Sequence, residues 1–222
     1  MADRWKIDMV NDDGKGDREI GVQLADEVRA LMLDIHRMDC SSQALEKAVE
    51  HLKAARISLD GSIRLRWYEQ ENRTLDKKAR SKLADEARDY SLFQGERNPI
   101  ASPVRTNTEI TDEGQKLLIG ITSVDRCREG PPGLVHGGYL AGIFDDLLSG
   151  TIRFVVKGPA VTGRLEVRYR RPTPIDTELR FEAWVERNNG RRIVSRARCL
   201  VDNVLTAEAE ALFVTIPSRG LI

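Results

Sequence analysis

The sequence predicts an α+β fold: one antiparallel sheet wrapped around one central helix, with a helical extension in front. Three observations carry this. Apolar residues recur with a helical period up to about residue 90, and with a strand period from Val104 onward. The strand-period half is interrupted once, by a long apolar run from about Gly137 to Phe154. Two strands precede that run and four follow it. The expected division is 1–95 for the helical extension and 96–222 for the sheet-and-helix domain.

Each element has its own signal. Residues 1–19 are polar and are expected to be loose. From Ile20 to Met38, the residues Leu24, Val28, Leu31, Ile35 and Met38 fall on one helical stripe. Ser41 or Ser42 caps a second helix, with Leu45, Ala48, Val49 and Leu52 on its stripe. Asp60-Gly61 breaks the pattern. Thr74 caps a third helix, with Leu75, Ala79, Leu83, Ala87 and Tyr90 on one face. These helices need a surface to bury against: the second domain, another subunit or each other. Val104–Thr111 and Lys116–Val124 are strands around an Asp112-Glu113-Gly114 turn. After the central helix, which Gly158-Pro159 closes, come strands over Thr162–Tyr169, Glu178–Glu186, Arg191–Val201 and Leu205–Ile216. Asn188-Asn189-Gly190 marks a hairpin, and Asp202-Asn203 a tight turn.

Composition removes several function classes. The chain has 222 residues, with 35 basic against 35 acidic side chains, so no bulk field attracts nucleic acid. Cys40, Cys127 and Cys199 are odd in number and widely spaced, against both a disulfide framework and a zinc site. His36, His51 and His136 are scattered, and no phosphate-binding glycine loop is present, so neither a metal nor a cofactor is expected. No apolar run suggests a signal peptide or is long enough to span a bilayer, and a soluble cytoplasmic protein is the expectation.

The chemistry concentrates at Gly130-Pro131-Pro132-Gly133-Leu134-Val135-His136-Gly137-Gly138, which opens the central helix, and at Asp145 and Asp146 within it. A free amide at a helix start can hydrogen-bond a carbonyl oxygen that gains negative charge. A carboxylate two turns on can activate water or attack that carbonyl. Small residues (Gly138, Ala141, Gly142) alternate with large ones (Ile143, Phe144, Leu147, Leu148, Ile152), as in a helix wrapped by a sheet. Carboxylates there are costly unless they face a wet cavity or a partner chain. Neighbouring helical positions differ by about 100°, so only one of the two aspartates faces inward.

The glycine-proline string, the Asp nine positions after its His, and a Thr heading the strand that ends Tyr169-Arg170-Arg171-Pro172 occur together and in order. Residues from about 98 to 216 thereby resemble a hotdog-fold thioesterase of the PaaI-like superfamily, and most of all its thioesterase-superfamily-member branch. The resemblance implies an acyl-CoA thioesterase with acyl-CoA as substrate. It implies the Gly137 amide as oxyanion donor, with Gly138 allowing close approach and His136 shaping the turn. It implies Asp145 as general base or nucleophile, and Thr162 as the residue that positions water. It also implies dimers with one continuous sheet, often paired again into tetramers, in which Gly137 of one subunit faces the other's Asp145. In one respect the chain departs from the family. Several relatives carry Asn or Gln six residues before the His, and here Gly130 stands there.

Residues 164–198 hold ten arginines and five carboxylates. Arginine forks suit the phosphates of coenzyme A. Arg168 and Arg170 match family positions that contact coenzyme A, and Arg191 and Arg192 follow the hairpin turn nearby. For Arg164 and Arg196 an outward strand position paired with glutamate is an equal reading. Two other functions stay open at the level of sequence: an enoyl-thioester hydratase or dehydratase, and a non-catalytic acyl-CoA-binding module.

Overall fold

The computed structural model describes residues 14–62 and 85–216. Helix α1 spans Gly14–Arg37 and α2 spans Ser42–Ser58. The strands are β1 (Arg105–Ile110), β2 (Lys116–Ser123), β3 (Ala160–Tyr169), β4 (Glu178–Asn189), β5 (Arg192–Val201) and β6 (Val204–Thr215). The central helix α3 spans Gly137–Gly150 and runs into a 3-10 turn at Thr151–Phe154. All neighbouring strands pair antiparallel, in the order β1-β2-β4-β5-β6-β3. The chain has the hotdog fold that its sequence resembles.

The inner face of the sheet is a trough of small residues. One row crosses it as Leu118, Ala183, Ala197, Ala209 and Val167, each paired with the next. Methyl groups in the middle of that row let α3 lie close. Its large side chains Leu140, Ile143, Phe144, Leu147 and Leu148 then fill the trough and are buried. Phe144 meets Phe181 edge-to-face at 5.3 Å between ring centres. Gly120 is part of the same fit, since a Cβ there would come within 2.9 Å of Leu147. Buried hydroxyls of Thr151 and Ser195, 2.8 Å apart, tie the end of α3 to β5.

The turns follow their residues. Gly114 and Gly190 adopt positive φ, and so do both Asp202 and Asn203, the pattern of a type I′ hairpin turn. Asn188 Oδ1 accepts from the Gly190 amide at 3.0 Å.

The extension departs from expectation in two ways. Residues 14–19, expected to be loose, are the first turns of α1. Asp17 favours that helix start, and Arg18 is held by Asp89 and Glu96 at 2.8 and 2.7 Å. The face that α1 presents to the rest of the chain is also not its apolar stripe. Ala25 is buried, and Arg29 donates to the carbonyls of Asn98 and Glu96 at 2.8 and 3.0 Å, while Leu24, Ile35 and Met38 are exposed. Charge-assisted bonds and a small residue that permits close approach outweigh the wider stripe. Helix α2 is capped by Ser41, whose hydroxyl accepts from the Ala44 amide at 3.3 Å, but it buries no residue among those described. Of the expected third helix, Thr74, Leu75, Ala79 and Leu83 lie outside the described residues, and 85–89 are helical. Phe93 and Gln94, just before the expected boundary, lie against α3.

Candidate active site

The loop before α3 is built to present the start of the helix. Gly133 takes positive φ in a turn closed by Leu134 N–H to Pro131 O at 2.9 Å. Glu129 and Val135 pair across the loop. Buried Arg128 braces it from below, through Asp125 at 2.8 Å and the carbonyl of Ile100. The Arg128 carbonyl then accepts from His136 N–H at 2.8 Å. Gly130 leaves no room for an amide side chain, since a Cβ there would sit 2.9 Å from His136 Cα. The departure from the family's Asn or Gln is therefore built into the turn.

His136 is the N-cap of α3, and its Nδ1 accepts from Gly138 N–H at 3.0 Å. That bond fixes the proton of the neutral ring on Nε2. It also decides which amide stays open. Gly138 is taken by the cap, whereas Gly137 opens the helix and has no intrahelical acceptor. Among the described residues nothing accepts from the Gly137 N–H. An apolar cavity of about 430 Å³, lined by Pro131, Leu134, Leu140 and Tyr169, opens at this point.

The two aspartates separate as helical geometry requires. Asp145 Oδ1 accepts from Thr162 Oγ1 at 2.9 Å. Thr162 reaches it because β3 shifts register between Thr162 and Arg164. The extra residue, Gly163, lets both Thr162 and Leu165 face α3. Asp146 points to the opposite flank, where Gln94 Nε2 donates to Oδ2 at 2.6 Å. Burial pushes the Asp146 acid above the ordinary carboxylate range, against the opposing pull of the Gln94 bond. The structure thus brings Thr162 to Asp145, and His136 to Gly138. It does not bring Gly137 to Asp145. Eight residues of one helix separate them by about 12 Å.

The arginines lie on the outer face of the sheet in a lattice of ion pairs. Arg168 binds Glu166 at 2.8 Å, and Arg170 binds Glu208. Arg196 binds Glu210 at 3.0 Å and Glu186 at 3.3 Å. Arg164 meets Glu210 at 3.4 Å, and Arg198 meets Glu182 at 2.7 Å. The excess of arginine in 164–198 is a local count; Glu208 and Glu210 on β6 offset part of it across the strands. Arg191 and Arg192 are exposed and pair with no carboxylate among the described residues.

Three contributors carry no role in the sequence reading. Tyr169 donates its hydroxyl to the Gly137 carbonyl at 2.7 Å. Phe93 packs into the notch left by Gly142 and lies edge-on to Tyr139. Gln94 holds Asp146. Tyr169 was signalled by the Tyr-Arg-Arg-Pro string, whereas the other two have no local signal.

Comparison with known proteins bears on this geometry. The thioesterase superfamily model matches residues 132–211, which run from the loop through the end of the sheet. This stretch of the chain is similar to the thioesterase superfamily. An acyl-coenzyme A thioesterase THEM4 of Xenopus laevis is 33% identical over 90 residues, 40% of each chain. Its Mus musculus counterpart is 31% identical over 98 residues, 42% of this chain and 41% of the relative. The matched part is thus about two fifths of the length of these curated relatives. A solved thioesterase superfamily protein shares the fold with a TM-score of 0.68, at 24% identity, over 87% of this chain and 94% of its own. Among the described residues, no helix is long and apolar enough to cross a membrane, and no cluster of side chains is placed to hold a metal.

Proposed function

We propose that this protein is an acyl-CoA thioesterase whose active site is shared between two copies. The thioester oxygen rests on the Gly137 amide of one copy. Asp145 of the other, oriented by the Thr162 hydroxyl, delivers water to the carbonyl or attacks it directly. The observation that carries the reading is the pairing of an open helix-start amide with an oriented carboxylate too far along the same helix to serve it. The flank of α3 that bears Gly138, Ala141 and Asp145 adjoins β3, which ends the sheet without a further partner strand among the described residues. A second copy that adds its own β3 at that edge supplies the missing half. Names of relatives support the substrate class, acyl-coenzyme A.

Hydration or dehydration would need a histidine base. His136 is a poor one, since its Nδ1 is committed to the Gly138 amide. For the coenzyme's phosphates, Arg191 and Arg192 are open, while Arg168 and Arg170 would have to exchange Glu166 and Glu208 for phosphate. Thiol release from a panel of acyl-CoAs tests the function. Asp145→Ala should lower kcat at least about 100-fold, and Asp146→Ala far less. Full activity in the Asp145 variant would refute the mechanism, and no release from any acyl-CoA would refute the function.

A further inference from the structure

The Tyr169 hydroxyl reaches the backbone at the start of α3. The peptide between Gly137 and Gly138 is bonded at both ends. Its carbonyl accepts from Tyr169 at 2.7 Å, and its N–H donates to His136 Nδ1 at 3.0 Å. The preceding peptide, between His136 and Gly137, is held by its carbonyl, which accepts from the amides of Tyr139 and Leu140 at 2.9 and 3.2 Å. Two consecutive glycines at a helix end have wide backbone freedom. These four bonds remove that freedom and leave the Gly137 N–H with one direction. Tyr169 is itself well placed to act as a fixed post. It is the last residue of β3, and the two amides after it, of Arg170 and Arg171, both donate to Thr206 O, at 2.7 and 2.9 Å.

We propose that Tyr169 is a positioning residue for the oxyanion site, acting through the Gly137–Gly138 peptide rather than on the substrate. The inference rests on the thioesterase reading for its kinetic half only. An oxyanion donor works by being aimed before the charge develops. Loss of the post leaves the amide present but less well aimed, a milder defect than loss of the donor. The Tyr169 ring also lines the cavity at Gly137, so a role as a wall for the substrate is the competing account. A third account is a plain tie between β3 and α3.

Tyr169→Phe in the full chain separates the three. The ring is retained and the residue is 54% exposed, so the fold should survive. Two readouts are needed: kcat and KM for an acyl-CoA, and the backbone amide resonances of Gly137 and Gly138. The expected result is a kcat lower by about 10-fold, a KM within about twofold, and displaced resonances of both glycines. A raised KM with unchanged kcat would make Tyr169 a wall. Displaced resonances with unchanged kinetics would make it a structural tie. Unmoved resonances would remove the clamp altogether. If the unmodified protein hydrolyses no acyl-CoA, the functional reading and the kinetic half fall together, while the resonances still decide whether the clamp exists. Each of the first three results overturns the proposal; the fourth removes its kinetic half together with the functional reading.

Discussion

Asp145 and Asp146 show how much one residue's step along a helix changes its chemistry. Asp145 meets a hydroxyl on the exposed flank, and Asp146 meets a carboxamide on the covered one. Burial raises the Asp146 acid above its unfolded value. The sign follows. Below the unfolded pKa both states are protonated and nothing is lost. As pH rises toward the folded pKa, the folded state resists ionisation and loses stability relative to the unfolded chain. Asp146→Asn keeps an oxygen to accept from Gln94 but carries no charge. The variant should therefore denature at higher urea than the parent near neutral pH, with the gain vanishing on acidification below the ordinary carboxylate range. A gain of equal size at both pH values would show that the charge is not its source. The meeting of Asp145 with Thr162 was legible because both belong to one ordered string of motif residues. The partner of Asp146 was not, because Gln94 is 52 residues away and belongs to no local pattern. Pairing of Arg168 and Arg170 was hidden for the same reason in part, since Glu208 joins only through the β3–β6 register.

At the level of elements, α3 has three faces with three fates. Leu140, Ile143, Phe144 and Leu147 face the sheet; Tyr139, Gly142 and Asp146 face the 93–104 segment; Gly138, Ala141 and Asp145 are left open. Gly142 is set by the second face, because a Cβ there would come within 2.3 Å of the Phe93 ring. Gly142→Ala raises helix propensity by about 1 kcal/mol, but overpacking against a ring costs about 1–3 kcal/mol. Overpacking should win, and the variant should melt below the parent. A higher Tm would mean that Phe93 moves aside freely. The strands and α3 were legible in the sequence because period, turn residues and proline breaks agree. The docking of α1 was not. Its apolar stripe suggests one face, while Arg29, with a side chain only 13% exposed, fixes another. Each charge-assisted bond contributes about 1.5–3 kcal/mol. Arg29→Ala should loosen α1 while the sheet holds, seen as faster amide exchange confined to α1. Unchanged exchange there would show that Arg18 and Ala25 suffice.

The whole molecule raises a question that no single copy answers, since the open amide and the oriented carboxylate lie about 12 Å apart on one rigid helix. A test exists that does not depend on measuring oligomer size. Gly137→Pro removes the open N–H at the first helical position, where proline is tolerated. His136, with ψ 130, already has the backbone that a following proline demands. Asp145→Ala removes the carboxylate. Each variant alone should be inactive in both sites of its own dimer. A mixed dimer has one site with both defects and one with neither, because each copy supplies the half that the other lacks. Random exchange makes half of the dimers mixed, so about a quarter of the sites should recover activity. If both groups instead acted within one copy, no mixture could recover anything. Activity that rises on mixing the two inactive proteins would place the site between copies; persistent inactivity, with subunit exchange verified by a tag, would place it within one.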